Sequence, residues 1–85
     1  MDYSDALRVI KAGGRVARRS WVEPGKYIFW TPAATVETPD GRCVERVGHA
    51  LFFRPFKGEN GQVEPWLPSF DAQAGEDWYD LGTEG

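Results

Sequence analysis

The sequence predicts a small α+β domain, in which one N-terminal helix packs on a twisted, mostly antiparallel β-sheet. Three observations support this fold class: one early segment has helical periodicity, the later apolar residues fall in short aromatic and β-branched runs, and hairpin-length turns separate those runs. Parallel strands would need a crossover helix, and the sequence offers no segment for one. With 85 residues there is room for a single core, so residues 1–85 are predicted to form one domain.

The predicted helix covers residues 2–13. Four side chains recur at positions i, i+3, i+4 and i+7 and so share one face: Tyr3, Ala6, Leu7 and Ile10. Asp2 or Ser4 can cap the N-terminus, and the pair Gly13-Gly14 offers the left-handed conformation that ends many helices. The helix therefore has one apolar face with which to cover a sheet.

Six segments rich in β-branched and aromatic residues are predicted as strands. In chain order they are RVARRSW (15–21), KYIFWTPAATVE (26–37), CVERV (43–47), HALFFRPF (49–56), VEPWLP (63–68) and DWYDL (77–81). The turns between them include TPDGRC and KGENGQ, and the second carries the hairpin dipeptide Asn60-Gly61. Pro32 lies inside the second segment and predicts an edge strand or a bulge there. A short helical turn capped by Ser69 and a frayed tail over residues 82–85 complete the prediction.

Charge and composition exclude several classes of partner. The formal net charge is −3 at pH 7, which argues against the basic face that a nucleic acid polymer requires. The sequence has no apolar run of about 20 residues, the length of a membrane span, and it opens with no signal peptide. Its single cysteine, Cys43, and single histidine, His49, are too few for a disulfide or a structural zinc site. We therefore expect a soluble cytoplasmic protein with no metal and no cofactor.

The sequence gives weak signals for catalysis. It has no nucleophile-elbow motif, no glycine loop for phosphates and no pair of histidines. His49 has no partner in the local sequence, so a structural or solvent-facing role is favoured for it. Asp71, Glu76 and Asp77 form an acidic group that can bind a metal, although charged residues in loops are usually solvated. The protein is predicted not to be an enzyme.

Aromatic residues are more abundant than one small core needs. The chain has four tryptophans, three tyrosines and five phenylalanines, and surplus aromatic side chains are typical of oligomer interfaces and ligand sites. The tryptophans lie near predicted turns or strand ends: Trp21, Trp30, Trp66 and Trp78. Each can stack on a nucleobase, worth about 1–3 kcal/mol per base, or can pack in a core or interface, and packing is favoured for Trp78. Three arginines can hold a pyrophosphate, because guanidinium groups match phosphate oxygens: Arg18, Arg19 and Arg54.

Two blocks of the sequence resemble a family of small phage and prophage proteins. The first block is DALRVIKAGGRVARRSW, a helix that ends in a glycine pair and leads through a basic strand to Arg18 and Trp21. The second is GQVEPWLPS followed by GEDW, in which a Pro-Trp precedes a serine and a Gly-Glu-Asp-Trp closes the domain. The two blocks make up about half of the chain. The family that they resemble is that of the Thoeris anti-defence proteins of the second type.

The resemblance implies a binding protein. Members of that family sequester the cyclic ADP-ribose-type signal that a bacterial TIR-domain sensor makes, without cleaving it, and some also hold cyclic dinucleotides. Their fold is a small α+β protomer that assembles into homotetramers, with ligand pockets between protomers. The partners implied for this chain are a signal of the glycocyclic ADP-ribose type, in the cytoplasm of the host bacterium, and further copies of the chain in a tetramer.

The resemblance also implies ligand-binding roles at matching positions. Trp21 is expected to form an aromatic wall of the pocket, with Asp77 near its rim. Three residues of the second block are expected to form the corner that contacts a base: Trp66, Pro68 and Ser69.

Three further positions are assigned on other grounds. Phe53 and Arg54 lie in the less similar middle segment and are assigned to the ligand site from their chemistry alone. After the serine the family runs Gln-Thr-Asp, whereas here Phe70 replaces the glutamine and Ala72 stands at the position of the acid. Either Asp71 substitutes for that acid or the ligand specificity has changed.

Two alternatives to a sponge remain open at the level of the sequence. One is a small phage protein that uses an aromatic face to bind another protein or to build a structure. The other is an enzyme that degrades the signal, which the sequence disfavours because its candidate general bases lack partners.

Overall fold

Within residues 1–84, the part of the chain that the computed structural model describes, a five-stranded sheet, a two-stranded ribbon and three helices form. The helices are α1 (Tyr3–Lys11), α2 (Phe70–Ala74) and α3 (Leu81–Glu84). The strands are β1 (Val16–Arg18), β2 (Tyr27–Thr31), β3 (Ala34–Glu37), β4 (Cys43–Arg46), β5 (His49–Arg54), β6 (Gln62–Pro65) and β7 (Trp78–Asp80). The large sheet has the order β6-β5-β2-β1-β7 with every neighbouring pair antiparallel, which confirms the predicted α+β class.

Helix α1 forms where the sequence predicts it. The carboxylate of Asp2 accepts a hydrogen bond from the backbone N of Asp5 at 2.9 Å, so Asp2 is the N-cap, and Ser4 lies inside the helix. Gly13 follows the helix with φ at 99°, a conformation that a glycine adopts without strain. The face that the periodicity predicts to be apolar is the buried one, since Ala6 and Ile10 have no exposed surface.

The hydrophobic core lies between α1, α2 and one side of the large sheet, which we call the helix face. Its buried members are Ala6, Ile10, Val16, Ile28, Ala72 and Trp78. The indole N–H of Trp78 donates a hydrogen bond to the carbonyl of Ala72 at 3.0 Å, which ties α2 to β7. Trp78 is 1% exposed, so the packing role favoured for it from the sequence is confirmed.

The opposite side of the sheet, which we call the open face, is also aromatic. Strand alternation and register place five half-buried side chains on it: Tyr27, Phe29, Leu51, Phe53 and Tyr79. The Tyr27 ring lies 4.8 Å from the Phe53 ring and 6.0 Å from the Phe29 ring, centroid to centroid. None of the five belongs to the core cluster that α1 and α2 cover.

Strands β3 and β4 form an arm that continues the β2–β5 pairing in the same register. Tyr27 pairs with Phe53 at one end of the sheet, and Ala34 pairs with Arg46 at the base of the arm. The segment predicted as a strand over residues 26–37, with an edge or a bulge at Pro32, forms two strands. Pro32 lacks the amide hydrogen that pairing requires, and β2 ends at Thr31. Of the strand residues in the arm, all but Arg46 are exposed.

The segment after β7 also differs from the prediction. Residues 82–85 are predicted as a frayed tail, whereas Leu81–Glu84 form the helical turn α3. The backbone N of Leu81 donates to the carbonyl of Arg15 at 2.9 Å, which holds the start of α3 beside β1. Gly85 lies outside the described residues.

Candidate ligand site

Three aromatic side chains meet on the helix face in front of β5 and β6. The Trp21 ring lies 5.4 Å from the Phe52 ring and 6.0 Å from the Trp66 ring, and Phe52 and Trp66 are 5.4 Å apart, all between centroids. Trp78 lies behind them, 5.6 Å from Trp21 and 6.0 Å from Trp66. The contacts with Trp66 and Trp78 are edge-to-face, a favoured arrangement of aromatic rings. We call Trp21, Phe52 and Trp66 the aromatic corner.

Different chain segments bring these three rings together. Phe52 reaches the helix face because it pairs with Ile28, whose side chain is in the core. Trp66 follows β6, where its backbone N donates to the carbonyl of Ala50 at 3.0 Å and its indole N–H donates to the Tyr3 hydroxyl at 2.9 Å. Trp21 comes from the loop between β1 and β2, and its backbone N donates to the carbonyl of Arg18 at 3.1 Å.

A charged pair lies beside the aromatic corner. Arg54 Nη2 is 2.7 Å from Glu64 Oε1, and the guanidinium carbon lies 5.0 Å from the centroid of the Phe52 ring. Arg54 Nε is buried and has no hydrogen-bond partner within residues 1–84. These groups line a cavity of about 270 Å³ with Pro65, Trp66 and Leu67. The site thus combines flat apolar surfaces, one guanidinium and one carboxylate.

A second charged group lies at the start of β7, where Arg18 is enclosed by two carboxylates. Arg18 Nε donates to Asp77 Oδ1 at 2.9 Å and Arg18 Nη1 donates to Asp71 Oδ2 at 3.0 Å, and the side chain of Arg18 is only 10% exposed. The backbone N of Ser20 donates to Asp77 Oδ2 at 3.1 Å. Gly75 packs closely against this group, since a Cβ there would lie 2.6 Å from Arg18 Nη2 and the guanidinium would have to shift.

The charged state of this second group is strongly favoured. Hydrogen bonds from the Ser20 side chain and from Arg18 lower the pKa of the Asp77 carboxyl to about 2. Burial disfavours the charge on Arg18, but the hydrogen bonds to Asp71 and Asp77 outweigh it and raise the Arg18 pKa. Arg18 and Asp77 therefore form an internal ion pair that connects β1 to β7.

The structure does not bring all the predicted ligand residues to one place. Trp21, Trp66 and Arg54 lie together at the aromatic corner and its cavity. Ser69 caps α2, since its Oγ accepts from the backbone N of Ala72 at 3.1 Å, as the sequence predicts for its capping role. Pro68 lies one residue before this cap and is partly buried, and its carbonyl is 3.5 Å from the side-chain nitrogen of Gln73.

Three other predicted residues lie elsewhere. Phe53 is on the open face, against Tyr27, because its neighbour Phe52 takes the inward position. Asp71 and Asp77 are engaged with Arg18. Of the arginines considered for a pyrophosphate, Arg18 is thus already paired and Arg19 lies over Tyr79, 4.5 Å from the ring centroid, whereas Arg54 lines the cavity.

Sequence reasoning missed Phe52 and Glu64 as members of the site. Both follow from register, since Phe52 pairs with Ile28 across β2 and with Glu64 across β6, and all three side chains point to the same face. The available signal was the apolar run over residues 50–53, in which neighbouring side chains of a strand alternate between its two faces. That alternation predicts two faces but does not say which one the helix covers.

The histidine and the cysteine lie apart from the aromatic corner. His49 Nε2 is 3.2 Å from Arg46 Nη1 at the base of the arm, and Cys43 is exposed on the arm. Within residues 1–84, no three His, Cys, Asp or Glu side chains are grouped so that they can hold a metal ion. In the same part of the chain, no helix is long and apolar enough to cross a membrane.

Most of the chain matches one known protein family. Residues 1–81 match the Tad2-like family, the Thoeris anti-defense 2-like domain. The chain belongs to this family. The match includes α1, every strand and the whole aromatic corner, so the family shown is the one that the two sequence blocks resemble. A comparison with curated protein sequences gives no match. The Thoeris anti-defense 2-like domain supports an anti-defence role for the protein.

Proposed function

We propose that the protein is an anti-defence sponge, which binds a cyclic nucleotide immune signal, leaves it uncleaved and so blocks Thoeris immunity in the cytoplasm of the host bacterium. The proposed signal is of the glycocyclic ADP-ribose class, with cyclic dinucleotides as the second class. Family membership supports the anti-defence role. The observation that carries the binding proposal is the aromatic corner beside the Arg54–Glu64 pair.

The aromatic corner suits the base of such a ligand. A nucleobase stacked on one tryptophan face gains about 1–3 kcal/mol, and Trp21 and Trp66 offer two ring systems with an interplanar angle of 68°. Neither ring is fully buried, although both contact the core. Phe52 lies in the corner with them, and in this proposal it takes the place in the ligand site that the sequence assigned to Phe53.

The charged pair suits the rest of the ligand. Arg54 is 37% exposed and pairs with Glu64 through Nη2, so its other terminal N–H groups can donate to a phosphate oxygen. The Glu64 carboxylate can accept hydrogen bonds from ribose hydroxyls or from an amino group of the base. In this proposal Asp71, Asp77, Pro68 and Ser69 support the site by fixing α2 and β7, and Asp71 remains the nearest counterpart of the acid that the family carries after the serine.

The size of the cavity supports a homo-oligomer, for which we propose the tetramer of the family. About 270 Å³ is below the roughly 300–1,000 Å³ of pockets that enclose drug-sized ligands, and a cyclic dinucleotide-sized signal needs at least that much. A neighbouring protomer would supply the missing walls. The open face offers a surface for such assembly, because aromatic sheet faces are typical of permanent interfaces.

Thermal melts with a panel of ligands test the proposal. The panel contains glycocyclic ADP-ribose isomers, cyclic ADP-ribose, several cyclic dinucleotides, ADP-ribose and NAD. A ligand at about a hundred times its Kd stabilises the native state by about 2.7 kcal/mol, which raises Tm by several degrees. We expect this shift with a glycocyclic ADP-ribose isomer and its loss in Trp66→Ala, measured relative to each protein's own Tm. No shift with any cyclic nucleotide would overturn the proposal.

A second candidate function is the binding of another protein through this same region. Val22 and Leu67, which directly follow Trp21 and Trp66, are 96% and 85% exposed, and Phe70 is 85% exposed. Clusters of exposed apolar side chains on a small protein often mark a binding surface. This function predicts that Leu67→Ser and Phe70→Ser abolish capture of a host or phage protein and leave every nucleotide melt unchanged.

A further inference from the structure

We infer that Tyr3 is a positioning residue for the candidate ligand site, because its hydroxyl fixes the orientation of the Trp66 ring. The inference rests on the proposed sponge function and adds to it a residue outside the cavity. The indole N–H of Trp66 donates a hydrogen bond to the Tyr3 hydroxyl at 2.9 Å, across 63 positions of the chain. Among residues 1–84, those that line the cavity beside the aromatic corner do not include Tyr3. Tyr3 therefore acts on a ligand there through Trp66.

The aromatic contacts of Trp66 do not by themselves select one orientation of its ring. That ring meets the rings of Trp21, Phe52 and Trp78 at interplanar angles of 68°, 69° and 89°. The plane of an indole is the same after it turns by about 180° about χ2, so edge-to-face contacts favour neither orientation strongly. The hydrogen bond does distinguish the two orientations, because only one of them directs the N–H toward Tyr3.

The core holds Tyr3 itself in place. Tyr3 lies in the first turn of α1, and the fully buried side chains of Ala6 and Ile10 fix that helix on the sheet. The Tyr3 ring packs against Trp78, with the two centroids 5.5 Å apart. The hydroxyl therefore has a defined position at the edge of the core, and a hydrogen bond to it fixes Trp66 relative to the core as well.

The same hydrogen bond determines what Trp66 offers to a ligand. The indole N–H is the single donor of a tryptophan side chain, and in Trp66 this donor is already used. The backbone N of Trp66 is used too, since it donates to the carbonyl of Ala50 at 3.0 Å. Trp66 therefore offers the cavity its ring surface, which stacks on a base without reading its hydrogen-bonding edge. Selection among bases then falls to other groups of the cavity, of which Arg54 and Glu64 are charged.

Calorimetric titration of the full chain with glycocyclic ADP-ribose, together with NMR of the Trp66 indole N–H, tests the inference. Tyr3→Phe removes the hydroxyl and keeps the ring that packs against Trp78. We expect this variant to move the Trp66 indole signal away from its hydrogen-bonded position. We also expect it to weaken the affinity by about threefold to tenfold, the equivalent of one hydrogen bond. Tyr27→Phe, which removes a hydroxyl from the open face, is the matched control and should leave the indole signal unchanged.

A double-mutant cycle shows whether Tyr3 acts through Trp66. Trp66→Phe keeps an aromatic face and lacks the N–H, so adding Tyr3→Phe to it should change the affinity by less than about twofold. Affinities too weak for calorimetry are measured by NMR titration.

Three results would overturn the inference alone: wild-type affinity in Tyr3→Phe, an unchanged indole signal in that variant, or an equal loss from Tyr3→Phe in the wild-type and Trp66→Phe proteins. A wild-type protein that binds no glycocyclic ADP-ribose and no cyclic dinucleotide would overturn the sponge proposal and this inference with it. The wild-type titration therefore distinguishes the two failures.

Discussion

Two arginines on the same face of the sheet, Arg18 and Arg54, have the same chemistry and opposite surroundings. Arg18 is 10% exposed and lies between the carboxylates of Asp71 and Asp77, with its guanidinium carbon 5.7 Å from the Trp78 ring centroid. Arg54 is 37% exposed, pairs with Glu64 alone and has a buried Nε without a partner within residues 1–84. The first arginine is satisfied by the fold and the second retains hydrogen-bonding capacity. An arginine near a ligand site is therefore informative only when its own partners are known.

The largest effect in this comparison is expected from Arg18→Ala. The substitution leaves the partly buried carboxylate of Asp77 without its ion-pair partner, which should lower the free energy of unfolding by about 2–3 kcal/mol. Chemical denaturation measures this change. Arg42→Ala, at an arginine that is 78% exposed, is the control and should change the stability by less than about 0.5 kcal/mol. A loss at Arg18 no greater than that of the control would show that the pair contributes nothing to the fold.

Arg54→Gln should have a small effect on stability and a large effect on ligand affinity. Because Arg54 makes one half-exposed ion pair, its loss should lower the unfolding free energy by less than about 1 kcal/mol. The affinity for the cyclic nucleotide should fall by about tenfold or more, since a hydrogen bond to a charged group is worth about 1.5–3 kcal/mol. Calorimetric titration of wild type and variant with the signal measures the affinity. Equal affinity in both proteins would remove Arg54 from the site.

The pH dependence of stability should report the Arg18–Asp77 pair. The pKa of Asp77 is lowered to about 2 in the folded protein, so the unfolded chain binds the proton more tightly. The stabilisation, on the order of 1–2 kcal/mol after allowance for solvent screening, is fully present above pH of about 4 and is lost as the pH falls through about 2. Denaturation curves of wild type and Asp77→Asn between these two pH values measure it. Parallel pH profiles for the two proteins would contradict this assignment.

The smallest effect is expected from Asp71→Asn. The Asp71 side chain is 88% exposed, so its ion pair with Arg18 is open to water and should contribute less than about 0.5 kcal/mol to stability. Thermal melts of the variant without ligand measure this contribution. If Asp71 instead takes the place of the acid that the family carries after the serine, the variant keeps its Tm and loses affinity for the signal.

Local signals in the sequence were sufficient for most of the secondary structure. The N-cap at Asp2, the left-handed Gly13 and the cap at Ser69 act within a few residues, so their sequence patterns predict them directly. At Pro32 the sequence predicts an edge strand or a bulge. The structure has a longer interruption, because β2 ends at Thr31 and β3 begins only at Ala34. It separates the arm from the sheet although the pairing register is the same on both sides.

Which residues belong to the site depends on contacts between distant parts of the chain, and local sequence patterns do not reveal those contacts. The choice of Phe52 over Phe53 for the helix face follows from the pairing with Ile28, 24 positions away in the chain. The engagement of Asp77 by Arg18 joins residues separated by 59 positions. By residue chemistry alone, Phe52 and Phe53 are equally good candidates for the site, and so are Arg18 and Arg54. Only the register of the strands shows which of them face the cavity and which are already paired.

One measurement tests the central claim most directly. Purified protein is mixed with a slight molar deficit of glycocyclic ADP-ribose, free signal is quantified in the filtrate by chromatography, and the retained complex is then heated and analysed again. A sponge predicts that the filtrate is depleted in proportion to the protein added and that heating returns the signal chemically unchanged. An undepleted filtrate would contradict binding, and recovery of a hydrolysed product would contradict sequestration without cleavage.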